Sequence, residues 1–139
     1  MRRLFVIGIA AIVLLAVTVP LFAHHAFNAE FDDKKPVKLR GKVTKMEWIN
    51  PHAWVHIEVP EANGQMVAWM IELAAPNAML RRGWNRSSLP VGAEILVDGY
   101  QAKDGAKRAN GSIVTFTDGK KLFVGSSNPN APDVDKPSK

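Results

Sequence analysis

Val55, Ile57 and Val59 alternate with Trp54, His56 and Glu58, and the same period of two returns in Val67, Trp69, Ile71 and Leu73. An apolar residue at every second position gives a strand one buried face; a helix would need a repeat of three to four. Between the two runs stands Pro60-Glu61-Ala62-Asn63-Gly64. Asn-Gly closes tight antiparallel turns because both residues tolerate a positive φ. Residues 53–59 and 66–73 are therefore predicted to form a β-hairpin, which needs further strands around it to be stable.

Those strands are legible. Val37-Lys38-Leu39-Arg40-Gly41-Lys42-Val43 alternates apolar with basic, runs on toward Met46 and Trp48, and is broken by Asn50-Pro51. Gly41 inside it signals a bulge or a sharp coil. Pro76 opens a short helical stretch, residues 77–84, with Gly83 as its stop. Leu89-Pro90-Val91-Gly92 leads into a fourth strand at 94–100, a fifth follows at 109–117, and a short sixth at 121–124; Asp104-Gly105 and Asp118-Gly119 supply the turns. The predicted core is Val43, Val55, Ile57, Val67, Trp69, Ile71, Ile95, Val97 and Val114. Three meander strands, a helix, then two strands is the plan of the OB-fold. The fold class read here is mainly β: a five- to six-stranded OB-like barrel with one short helix between strands 3 and 4. A β-sandwich would need about seven strands.

The chain begins Met1-Arg2-Arg3, and no charged residue follows from Leu4 to Ala23. A basic start, an apolar run, Pro20 and a small Ala23 before His24-His25 have the form of an export signal cleaved after Ala23. The rival reading is an uncleaved membrane anchor, since twenty apolar residues can span a bilayer. The organisation read here is a signal helix at 1–23, an N-terminal arm at 24–36, the β domain at 37–124 and a disordered tail at 125–139, where Gly, Ser, Asn, Pro, Asp and Lys offer little to bury. The protein is expected to be periplasmic or secreted, and to meet a membrane only if the signal is retained. Losing Arg2 and Arg3 takes the basic residues from 18 to 16 against 13 acidic ones, and the net charge from +5 to +3. So mild a charge, with export, disfavours nucleic acid as a partner. The absence of cysteine excludes disulfides, thiol nucleophiles and cysteine-ligated metal sites.

Several blocks are distinctive: Ala23-His24-His25-Ala26-Phe27, Gly41-Lys42-Val43-Thr44-Lys45, Trp48-Ile49-Asn50-Pro51-His52-Ala53-Trp54 and Leu80-Arg81-Arg82-Gly83-Trp84. Over residues 24–128 they resemble a family of small secreted bacterial proteins, a domain of unknown function with OB-like form. The resemblance implies a bacterial exported protein and supplies no reaction.

All four histidines, His24, His25, His52 and His56, lie in the first part of the expected mature chain. Cleavage after Ala23 would make His24 the N-terminus, with an α-amine and an imidazole on one residue. A third nitrogen, from His25 nearby or from His52 through the fold, would complete a set favouring Cu(II) or Ni(II). The bland alternative is that two polar histidines merely mark the signal junction. His52 and His56 share a strand face but lie ~13 Å apart at ~3.3 Å per residue, too far for one metal. Without a ligand, His52 is a turn residue and His56 an exposed strand residue beside Glu58.

Trp54, on the face of His56 and Glu58, is a candidate for a ligand or partner surface, with His56 itself. So are Arg81, Arg82 and Trp84, although cations at a helix end also complement the helix dipole. Glu47, Glu58 and Glu72 are strand carboxylates whose pairing spacing alone does not reveal. No hydrolase, P-loop or dinucleotide motif is present. The leading reading is a non-catalytic binding or accessory module for a small ligand or a periplasmic protein, with no cofactor required. The first alternative is a copper(II) protein using His24 with His25 or His52, and the second is an enzyme of unassigned reaction.

Overall fold

The structure, a computed structural model, describes residues 27–125. The expected signal at 1–23, His24, His25 and all but the first residue of the expected tail lie outside the described residues. Residues 27–30 are helical, and β1 (Phe31–Glu47) follows directly, starting within the segment read as an arm. The hairpin forms from β2 (Trp54–Pro60) and β3 (Met66–Glu72), with Val55 opposite Ile71 and Ile57 opposite Trp69. Gly64 turns the chain at φ 81°, a conformation in which any Cβ would be strained.

A helix, α1 (Pro76–Arg81), carries the chain from β3 to β4 (Glu94–Ala102), and β5 (Arg108–Phe116) and β6 (Lys121–Phe123) complete the order. α1 is shorter than the predicted stretch. The Arg82 and Gly83 amides already turn back to Met79 O and Leu80 O, and the chain then reverses so that Trp84 N also reaches Met79 O.

β1 is long enough to serve two partners. Residues 31–42 pair with β4 and residues 42–47 with β2, both antiparallel, and the register slips between Val43 and Lys45. Gly41 sits at the overlap. A Cβ there would lie 2.5 Å from the Glu58 carbonyl oxygen, so only glycine lets β1 and β2 approach so closely.

β4 pairs with β5, and β5 pairs with β3 in parallel through Met70–Arg108, Ile71–Ala109 and Glu72–Asn110. The hydrogen bonding thus runs β1–β2–β3–β5–β4 and back to β1. Inside this ring lie Val43, Val55, Ile57, Trp69, Ile71, Ile95, Val97 and Val114, joined by Leu73, Met79, Trp84 and Leu89. Val67, predicted for the core, is half-buried at its edge. A second, smaller cluster of Phe27, Phe31 and Ala102, with Tyr100 against it, forms apart from the first.

Candidate functional site

Alternation along β3 puts Ile71 and Leu73 in the core and Glu72 on the opposite face. The same reasoning turns Asn110 away from its neighbour Ala109, which lies in the core. Strand pairing then lines up Trp54, Glu72, Asn110 and Tyr100 in one row across four strands. Three polar or amphipathic residues and a carboxylate on an outer face would ordinarily be solvated. Here the Glu72 side chain is 7% exposed and Asn110 is 0% exposed.

The segment leading into β1 lies beside this row and shares a cavity with Glu72. Phe27 meets Tyr100 edge-on at 5.9 Å and Phe31 at 5.8 Å. Polar contacts hold the segment in place. Lys103 N donates to Glu30 O at 2.9 Å, Lys103 Nζ donates to Asn28 O, and the Arg108 guanidinium pairs with Glu30 at 3.1 Å.

His52 comes from the stretch just before β2. It follows Asn50-Pro51, whose peptide bond is cis. The next residue, Ala53, exchanges backbone hydrogen bonds with the end of β3, donating to Ala74 O and accepting from Leu73 N. This anchoring places the imidazole over Glu72. His52 Nδ1 lies 2.7 Å from Glu72 Oε1, an ion-pair distance, and Asn110 Nδ2 donates to the same oxygen at 3.0 Å. Beside them is a cavity of about 300 Å³, walled by Phe27, Phe31, Pro51 and Trp54 and bearing His52, Glu72 and Glu30 as its charged or titratable groups.

This site gathers two of the predicted residues, His52 and Trp54. His56 is not part of it: its Nε2 lies 3.2 Å from Glu47 Oε1, on the β1–β2 surface. Lys45 also binds Glu47, and this contact chiefly holds the Glu47 carboxyl below the usual range. Among the described residues no three His, Asp or Glu side chains gather in a metal-holding group. A metal at His52 therefore needs donors from elsewhere, and His24 and His25 lie outside the described residues.

The Arg-Arg-Gly-Trp block is corrected in part. Trp84, expected on a ligand or partner surface, is 1% exposed and donates its Nε1–H to Phe123 O at 3.2 Å. Its large apolar ring fills the core beneath β6, where the one polar atom finds a carbonyl. Arg82 stacks 4.7 Å over the Phe123 ring and donates to Gly125 O at 3.0 Å, which fastens the C-terminal strand. Arg81 alone of the three is exposed.

Asn110 and the pairing of Glu72 were not read from the sequence. Each leaves a weak trace, a polar residue set between core residues or beside a glycine: Ile71-Glu72-Leu73 and Ala109-Asn110-Gly111. Their meeting depends on the parallel β3–β5 contact, which joins residues 38 positions apart.

A family model described as a family of unknown function (DUF6152) matches residues 11–111. No curated protein and no solved structure matches the chain.

Proposed function

The chain belongs to the DUF6152 family of unknown function, and we propose that it is an exported, non-catalytic binding module of OB-like barrel form whose ligand is Cu(II). The barrel reading is supported by the closed strand pairing, the parallel β3–β5 contact and α1 between β3 and β4. The ligand reading rests on one observation. His52, its Nδ1 2.7 Å from the buried Glu72 carboxylate, lines the same cavity as Phe27.

Phe27 is three residues from His24. A chain spans at most about 3.6 Å per residue, so His24 lies within roughly 11 Å of Phe27 by covalent connection alone. After cleavage behind Ala23, the His24 amine and imidazole would supply two nitrogens and His52 Nε2 a third. An all-nitrogen set favours Cu(II), which also leads the usual order of divalent affinities. The cavity's titratable groups, His52, Glu72 and Glu30, with the aromatic rings around them, support the holding of a small ligand.

The test compares Cu(II) titrations of four species: processed protein beginning at His24, the same protein with one residue added before His24, its His52→Ala variant, and a peptide of residues 24–31. The processed protein is expected to bind much more tightly than the peptide, and both changes are expected to weaken it. Binding should also weaken as pH falls, because protons compete for the amine and imidazoles. A peptide that matches the protein, with His52→Ala silent, would move the third nitrogen to His25. Equal affinity of the processed and extended proteins would remove the N-terminal chelate and leave the plain binding module.

A further inference from the structure

We infer that Asn63 is a site of spontaneous modification, where the neighbouring Gly64 amide and water convert its carboxamide into a carboxylate that the hairpin turn accepts without rearrangement. The inference stands apart from any ligand of the cavity.

The step balances within the chain and its solvent. The Gly64 backbone nitrogen gives its proton to solvent and attacks Asn63 Cγ. A nitrogen–carbon bond forms, the Cγ–Nδ2 bond breaks, and ammonia leaves after taking up a proton. Water then opens the cyclic imide at either carbonyl. Opening at Cγ gives aspartate; opening at the backbone carbonyl gives isoaspartate, whose chain runs through the side-chain carbon. Glycine is the successor that permits ring closure most readily, because no Cβ crowds its nitrogen.

Asn-Gly occurs twice in the chain, and the fold separates the two. Asn110 is 0% exposed within β5. Gly111 faces Gly99 in the ladder there, and a Cβ on Gly111 would lie 2.9 Å from Ile71 Cγ2. A ring closing at Asn110 has no room and is shut off from water. Asn63 and Gly64 are exposed between β2 and β3.

Two other turns show what an aspartate does at such a position. Asn63 Oδ1 accepts from Gln65 N at 2.9 Å, Asp104 Oδ1 from Ala106 N at 3.0 Å and Asp118 Oδ1 from Lys120 N at 2.9 Å. The glycine after each, Gly64, Gly105 or Gly119, has φ of 81°, 78° or 83°. Each glycine N–H donates to the carbonyl three residues back, on Glu61, Ala102 or Phe116, at 2.9, 3.1 or 3.0 Å. Asp104 and Asp118 thus already carry the product's side chain in this geometry. Conversion of Asn63 gives up only the exposed 3.2 Å bond from its Nδ2 to Gln65 Oε1. Isoaspartate adds a backbone atom before Gly64 and breaks the pattern. The same geometry slows the step, since the Gly64 N–H must leave Glu61 O before its nitrogen can attack.

Peptide mass spectrometry with separation of isoaspartate can follow the whole protein and a peptide of residues 60–67 through ageing in mildly alkaline buffer. Conversion is expected at residue 63, roughly 3–10-fold slower in the protein than in the peptide, the worth of about one hydrogen bond. None is expected at residue 110 while the protein stays folded. Asn63→Asp should melt at the temperature of the unaltered protein, and the isolated isoaspartate form should melt lower. Four results would overturn the inference: Asn63 persisting in the folded protein while the peptide converts, conversion at the peptide's own rate, conversion of Asn110 in the folded protein, or a lowered melting temperature for Asn63→Asp.

Discussion

At the scale of single residues, the tightest constraints are steric. Gly41 has no room for a side chain, since a Cβ would press on the Glu58 carbonyl at 2.5 Å and on Val59 Cγ2 at 3.1 Å. Gly41→Ala must push β2 away from β1, and should destabilise the protein by roughly 1–3 kcal/mol in chemical denaturation. The opposite error is a void. Ile57 is fully buried in the ring, and Ile57→Ala should cost about 2–5 kcal/mol by the same measurement. Glu47 makes a smaller, pH-dependent contribution. Lys45 holds its folded-state pKa below the unfolded value, so the stabilisation is present above the ordinary carboxylate range and is lost as pH falls through the lowered value. Glu47→Gln should flatten that acid-side decline in a pH series of thermal melts, and an unchanged slope would show that the contact with Lys45 carries no net stability.

At the scale of elements, the described residues entering β1 are anchored by Phe27, Phe31 and the bonds from Lys103 and Arg108. Small clusters of this kind open at lower free energy than a main core. Phe27→Ala should therefore speed amide exchange at Lys103, whose N–H is held by Glu30 O, while amides of β2 inside the ring keep their protection. If the proposed copper site forms, the same change should also lower Cu(II) affinity, because Phe27 is the nearest described anchor of the chain that leads to His24. Uniform loss of protection throughout the ring would instead make this segment an integral part of the core. By contrast, the β2–β3 hairpin carries its own turn, since Asn63 Oδ1 accepts from Gln65 N at 2.9 Å and Gly64 adopts the positive φ.

At the scale of the whole molecule, one contact converts an open sheet into a ring. β3 and β5 meet over three residue pairs, and the Glu72–Asn110 bond lies at the end of that seam. Site and closure are thus the same piece of architecture. The proposed copper chemistry adds one requirement, a free amine on His24. Intact-mass measurement on exported protein should find residues 1–23 removed. A mass that retains them would mean a membrane anchor and would deny the site its amine.

The sequence by itself determined the strands, their faces and the hairpin. Those features follow from a period of two along the chain and from Asn63-Gly64 at its turn, both local. It also singled out His52 and Trp54, because a histidine after Asn50-Pro51 and a tryptophan among polar neighbours stand out without any partner in view. Only the tertiary structure decided which polar residues answer His52. Glu72 and Asn110 come together through a parallel pairing of distant strands, and no spacing along the chain encodes such a meeting. It likewise decided that Trp84 is core: the surface or interior fate of a tryptophan beside arginines depends on whether another strand, here β6, arrives to cover it.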